Sequence, residues 1–127
     1  MRIIGHGIDI IELHRIETHL NSQFGDWTES IFTADEQAQA DPPPNSITFF
    51  GGRYAAKEAV AKALGTGFSD DVAWRDVEIW RCESGAVQVR LASGALAVAN
   101  DLGVTQWFLS ISHTGAYAVA SAIAVGD

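Results

Sequence analysis

The chain contains one cysteine, Cys82. A single thiol excludes a disulfide framework and a cysteine-based zinc site, and it leaves redox chemistry without support; burial as a small hydrophobe is its expected role. Positive charge is scarce too, with eight Lys and Arg against sixteen Asp and Glu, a net charge of -8 and a pI near 4.7. Such a field opposes nucleic acids and anionic membrane surfaces. Although 47% of the residues are hydrophobic, no stretch approaches the roughly 18 to 20 apolar residues of a membrane span. Met1-Arg2 leads into a strand-like segment, unlike a signal peptide, so a soluble, cytoplasmic protein is expected. Proline is confined to Pro42-Pro43-Pro44, inside the one linker-like segment, Asp41 to Asn45. Internal repeats and low-complexity segments are absent. The 127 residues are expected to form one domain, 1–127.

What is present alternates between strand and helix signals. Residues 2 to 9 read as a short strand interrupted by Gly5 and Gly7, where a backbone runs close to another group. Apolar residues at 10, 13, 16 and 20 give a helical stripe from Ile10 to about Leu20, and Asp9 with Glu12 matches a capping box. Thr33-Ala34-Asp35-Glu36 is box-like again and predicts a short second helix. The clearest element is an Ala-rich helix from Ile47 to Leu64, capped by Asn45 or Ser46 and ended by Gly65. Trp74 to Glu83 and Ala86 to Leu91 read as paired strands around Ser84-Gly85, and Ala92 to Leu102 as a helix stopped by Gly103. Gln106 to Ser112 and Ala116 to Val125 form a hairpin around His113-Thr114-Gly115. This order predicts an α+β fold with a mainly antiparallel sheet packed against the long helix.

Few residues in this pattern carry chemistry, and each has a plain alternative. Three of the basic residues, Arg53, Lys57 and Lys62, lie in the long helix, where Glu58 and Lys62 are one turn apart. That spacing suits a surface ion pair as well as a site. Asp9 and Glu58 are two carboxylates of the kind that hold a magnesium ion together with substrate phosphates and water, yet Asp9 fits an N-cap equally well. Gly65-Thr66-Gly67 offers a close backbone approach to a ligand, or simply a helix stop. Ser112, His113 and Thr114 carry polar groups suited to phosphate oxygens, although a histidine in a tight turn is often no more than exposed. No GK[ST] follows a glycine loop, which excludes a P-loop, and no nucleophile elbow supports a Ser-His-Asp triad.

Taken together, three motifs resemble a known family. Gly7-Ile8-Asp9-Ile10, the run Phe50-Gly51-Gly52-Arg53-Tyr54-Ala55-Ala56-Lys57-Glu58-Ala59 followed by Lys62-Ala63-Leu64-Gly65-Thr66-Gly67, and Ser110-Ile111-Ser112-His113-Thr114 resemble the holo-acyl-carrier-protein synthases, the short class of 4'-phosphopantetheinyl transferases. Phe32-Thr33-x-x-Glu36 and Asp76-Val77-Glu78-Ile79 are weaker matches of the same kind. The resemblance implies transfer of the phosphopantetheine arm of coenzyme A to a serine of an acyl carrier protein, releasing adenosine 3',5'-bisphosphate, in fatty acid biosynthesis. It further implies Mg2+ as cofactor, Asp9 and Glu58 as its ligands, and Lys62 on a phosphate oxygen of the leaving group. Arg53, Gly65, Thr66, Gly67, His113 and Thr114 would hold coenzyme A. A homotrimer with sites between subunits is implied as well. The acceptor of the serine proton stays open between Glu58 acting through a water and a metal-bound hydroxide.

The chain departs from the family on the first helix, where members often present several basic residues to an acidic carrier. Only His14 and Arg15, with His19 one turn on, are available for carrier docking, and Glu12 and Glu17 lie nearby. A solvated helix face fits them as well as a docking patch does. A non-catalytic module binding coenzyme A or a carrier protein is the main alternative function, and a small acyl-coenzyme A hydrolase is a third.

Overall fold

The computed structural model describes residues 1–22 and 25–127. In chain order the elements are β1 (Arg2–Glu12), α1 (Leu13–Leu20), α2 (Trp27–Ile31), α3 (Ala34–Ala38), α4 (Ser46–Ala63), β2 (Val77–Arg81), β3 (Val87–Leu91), α5 (Ser93–Leu102), β4 (Gln106–His113) and β5 (Tyr117–Gly126). Among the described residues the strands form an antiparallel sheet of order β1-β5-β4 and a separate β2-β3 hairpin. The fold is therefore α+β, as the sequence predicts.

Small residues bring α4 down onto the larger sheet. A Cβ on Gly5 would stand 1.9 Å from the Ala63 carbonyl oxygen, and one on Gly7 1.9 Å from that of Ala59, so only glycine permits this approach. On β5, Ala118, Ala120, Ala122 and Ala124 are buried on the same side, because alternate residues of a strand share a face. Ala120 and Ala122 join Ala55, Ala56, Ala59, Val60, Val72, Val77 and Ile79 in one core. A second core of Ile16, Ile31, Phe32, Phe49 and Phe50 sits under α1 to α3. Burying a side chain such as Phe32, which is 0% exposed, is worth about 1.5–3 kcal/mol.

A buried ion pair joins α4 to α3 and β2. Lys57 and Glu36 are both 0% exposed and pair at 2.7 Å. Lys57 Nζ also donates to the carbonyls of Trp74 (3.1 Å) and Val77. Glu36 accepts from the amides of Thr33 (2.9 Å) and Ile79 (2.9 Å) and closes the Thr33 capping box. Both charges are thus fully partnered, the condition for tolerating them in a core.

Four expectations need correction, and one helix was not foreseen. Asp9 is no helix cap: pairing with β5 continues to Glu12 opposite Tyr117, and α1 starts at Leu13 with Glu12 as a cap that makes no side-chain bond. The apolar stripe from Ile10 mixed strand and helix positions, since Ile10 is 63% exposed on the outer face of β1. Helix α2 carried no recognised start signal. Trp74–Asp76 forms a 3-10 turn ahead of β2, and Cys82 is half-buried at the end of a hairpin strand, its amide bonded to the Ala86 carbonyl at 2.8 Å.

Candidate active site

Asp9 follows Gly7 by two residues and so points to the same side of β1, toward α4. There Lys62 Nζ donates to Asp9 Oδ1 at 3.2 Å and to the Ile8 carbonyl at 2.9 Å. Glu58 stands one turn earlier on α4, half-buried, and has neither a hydrogen-bond nor an ion-pair partner among the described residues. The surface pair Glu58–Lys62 is therefore not formed; Lys62 reaches across to Asp9 instead. Burial first, and then the charge of Asp9, raise the pKa of Glu58 above the usual carboxylate range, while Lys62 opposes the shift.

An uncompensated carboxylate beside a second carboxylate asks for a cation. Of the two, Lys62 Nζ touches Asp9 alone, and its charge reaches Glu58 without offsetting burial and Asp9. No cluster of three or more His, Cys, Asp or Glu exists among the described residues. Among the described residues the site thus offers two carboxylates, a donor set that fits a magnesium ion that keeps waters and takes substrate phosphate oxygens.

The remaining expected ligands lie in two other places. Gly65 and Gly67 have φ of 80° and 57°, so the helix ends in a left-handed turn. The amides of Gly65, Thr66 and Gly67 bond to the carbonyls of Lys62 (3.0 Å) and Ala61 (3.3 and 3.2 Å). They are occupied, and the negative end of the helix dipole lies there, so this loop would contact a phosphate through side chains rather than amides. His113 and Thr114 are exposed at the tip of the β4-β5 hairpin, where Thr114 Oγ1 accepts from the amides of Ala116 (3.2 Å) and Tyr117 (3.1 Å). On this side of the sheet Ile111 lies against Gly52 of α4. Gly52 and Lys62 are about 15 Å apart along the helix at 1.5 Å per residue. In the sheet, however, Asp9 and Ile111 both pair with Ala120 from opposite sides, so His113 stands two strands across and two residues along from Asp9, about 12 Å at roughly 4.8 Å per strand and 3.4 Å per residue, too far for direct contact.

Arg53 is also apart from the acidic pair. It is 6% exposed, its guanidinium lies 4.4 Å from the Phe49 ring centroid, and Nε and Nη2 are buried without partners. Burial, then the charge of Arg81, lowers its pKa to about 10, against the opposing charges of Glu36 and Asp41. His14 and Arg15 are both exposed on α1, and His14 Nδ1 lies 3.3 Å from the Glu12 carboxylate.

Residues 5–122 match the sequence profile of the 4'-phosphopantetheinyl transferase superfamily. The chain belongs to that superfamily. The holo-[acyl-carrier-protein] synthase of Natranaerobius thermophilus is 44% identical over 125 residues, 98% of this chain and 99% of the relative. Among solved structures, the holo-[acyl-carrier-protein] synthase of Neisseria meningitidis superposes with a TM-score of 0.87 at 27% identity, covering 97% of this chain and 98% of the other. That of Bacillus anthracis, in complex with CoA (3',5'-ADP), gives 0.83 at 33% identity over 100% of both chains. The family resemblance, the transferase fold and the phosphopantetheinyl transferase activity expected from the sequence are borne out.

The transferase site has neighbours that sequence reasoning did not single out. Tyr54 lies one turn before Glu58 on α4 and was detectable from that spacing alone. Its ring stacks on Trp27 (5.9 Å between centroids) and on Trp74 (4.9 Å). Neither tryptophan carries a sequence signal for the site, because both come from segments distant in the chain.

Proposed function

We infer that this protein transfers 4'-phosphopantetheine from coenzyme A to a serine of an apo acyl carrier protein, with Mg2+ held by Asp9 and Glu58. The observation that carries the site assignment is the convergence of Asp9 from β1 with Glu58 and Lys62 from α4. In the reaction the serine oxygen forms a bond to the phosphorus of the phosphopantetheine group. The pyrophosphate P–O bond breaks, and adenosine 3',5'-bisphosphate leaves with the bridging oxygen. When bound, Mg2+ supplies charge neutralisation on the pyrophosphate oxygens. Glu58, whose affinity for a proton is raised by burial and by Asp9, accepts the serine proton through a water. Lys62 is half-exposed and exchanges Asp9 for a leaving-group phosphate oxygen.

Arg53, Thr66, His113 and Thr114 are proposed to complete the coenzyme A site across a subunit boundary. Two features support a homotrimer: the two half-sites are separate in one chain, and the outer face of the larger sheet is apolar. Ile8, Ile10, Phe108 and Tyr117 are 57%, 63%, 46% and 46% exposed there, more apolar area than scattered surface residues present. His14 and Arg15 are proposed to meet the acidic carrier. No helix among the described residues is long and apolar enough to cross a membrane, and we place the reaction in the cytoplasm, in fatty acid biosynthesis. Incubation with coenzyme A, Mg2+ and an apo carrier is expected to add the phosphopantetheine mass to the carrier. No added mass on several folded apo carriers would overturn the assignment.

A further inference from the structure

Five aromatic rings stand in a continuous stack beside the acidic pair. His19 lies parallel to Trp27 at 4.8 Å and 6°, and Trp27 faces Tyr54 at 5.9 Å and 25°. Tyr54 then faces Trp74 at 4.9 Å and 26°, and Trp74 faces Phe68 at 3.9 Å and 17°. The rings come from five separate segments: the last turn of α1, the start of α2, the middle of α4, the turn before β2, and the residue after Gly67. His19 is exposed and the other four are half-buried: Trp27, Tyr54 and Trp74 pack against the second core and Phe68 against the first, so the stack carries the rigidity of both cores out toward the acidic pair.

Its two ends carry the two substrate-facing segments. At one end His19 lies one turn after Arg15, on the helix proposed to meet the carrier. At the other end Phe68 directly follows the loop proposed to meet coenzyme A. Tyr54, in the middle, stands one helical turn before Glu58 on the same face of α4. Burial first, then the charges of Glu58 and Asp9, raise the pKa of its hydroxyl, while Arg15 opposes the shift. Aromatic pairs prefer defined centroid spacings and tilts and contribute beyond their area burial, which favours one arrangement of the segments that carry them.

We propose that Tyr54, clamped between Trp27 and Trp74, is a positioning residue that fixes the carrier-docking helix α1 and the loop 65–68 in register with Glu58. The proposal rests on the transferase reading of the site. Two substrates must meet at one phosphorus, so an error in the spacing of the two segments that hold them lowers the rate of transfer even when both are bound. A displacement of about 1 Å is enough to cost about 100-fold.

The test compares Tyr54→Leu, Tyr54→Phe and Trp27→Leu with the wild-type protein, using calorimetric coenzyme A binding to count competent sites. Wild-type transfer in the same assay judges the transferase reading; the variants judge the stack. Tyr54→Leu is expected to lower kcat per coenzyme A-binding site by about 10- to 100-fold, with the Kd for coenzyme A within about threefold. Tyr54→Phe, which keeps the ring and loses only the hydroxyl, is expected to restore kcat to within about twofold, and the tryptophan bands of its near-ultraviolet circular dichroism should keep the wild-type sign. Trp27→Leu, which breaks the stack away from α4, is expected to reproduce the kcat loss and keeps the test alive if Tyr54→Leu fails to fold. Wild-type kcat per site in either leucine variant would overturn the proposal. So would a Tyr54→Phe loss as large as that of Tyr54→Leu, because the hydroxyl and not the stack would then be responsible.

Discussion

Glu58→Gln separates chemistry from folding because the native carboxylate costs the fold something. Its folded-state pKa is raised, chiefly by burial and then by Asp9. A raised carboxylate favours the folded state below its unfolded pKa, and that contribution is lost as pH rises through the folded pKa. At pH 7.5 the ionised group is therefore a net burden on stability, and the neutral amide of the same size removes it. The side chain has no hydrogen-bond partner among the described residues to lose, so the change in stability should lie within about 0.5 kcal/mol of zero or on the stabilising side. For a chain of this size that is a Tm shift of about 3 °C or less downward. Transfer, by contrast, should fall about 100- to 1,000-fold, the scale on which one electrostatic group at a reacting centre acts. Carrier mass spectrometry at saturating coenzyme A and Mg2+ measures the rate, and scanning calorimetry the Tm. A variant with full activity would remove Glu58 from the site, and one that melts 10 °C lower would make it a structural residue. In the wild type, metal binding should fade on acidification at a pH above the ordinary glutamate range, since protonation of Glu58 abolishes a ligand.

Three further outcomes follow from the same geometry. Lys62→Met removes the cation beside Asp9, so Mn2+ should bind the coenzyme A-free protein several-fold more tightly by electron paramagnetic resonance titration, while transfer falls; weaker Mn2+ binding would show that Lys62 does not occupy the metal's place. Lys57→Met should destabilise by about 3–5 kcal/mol because Glu36 is left buried and unpaired, and adding Glu36→Leu should recover much of that in urea denaturation. Arg15→Glu should raise the KM for the carrier and leave kcat within about twofold, since an exposed rim charge acts on encounter more than on chemistry; an unchanged KM would take Arg15 out of the docking surface.

Periodicity and punctuation made most of the fold legible. The alanine spacing with Gly65 located α4 to within a residue or two, and Thr33 with Glu36 did form a capping box. The boundary of β1 was not legible, because Asp9 and Glu12 satisfy a cap pattern whose alternative, continued pairing with β5, depends on residues more than a hundred positions away. The pair Asp9 and Glu58 could be named only through the joint order of motifs, since nothing local places β1 against α4. Gly5 and Gly7 signalled a close approach without saying to what. The aromatic stack was illegible for the same reason: His19, Tyr54 and Phe68 each lie close in sequence to a site residue, but nothing local shows that Trp27 and Trp74 join them into one stack.

Lys57 and Glu58 are adjacent in sequence and opposite in consequence. A helix turns about 100° per residue, so two neighbours cannot serve one site; Lys57 is carried inward to Glu36 and the carbonyls before β2, and Glu58 outward beside Asp9. The inward residue fixes the rotation of α4 about its own axis, because its ammonium is met by Glu36 and by the carbonyls of Trp74 and Val77. Gly5 and Gly7 fix the height of α4 above β1. With rotation and height both set by buried contacts, Glu58 and Lys62 are delivered to Asp9 without having to hold the helix in place themselves. On the proposed reading, Lys62 is thereby left free to exchange Asp9 for a substrate phosphate oxygen, and the unpartnered Glu58 free to take a metal ion, because neither contact holds the helix in place.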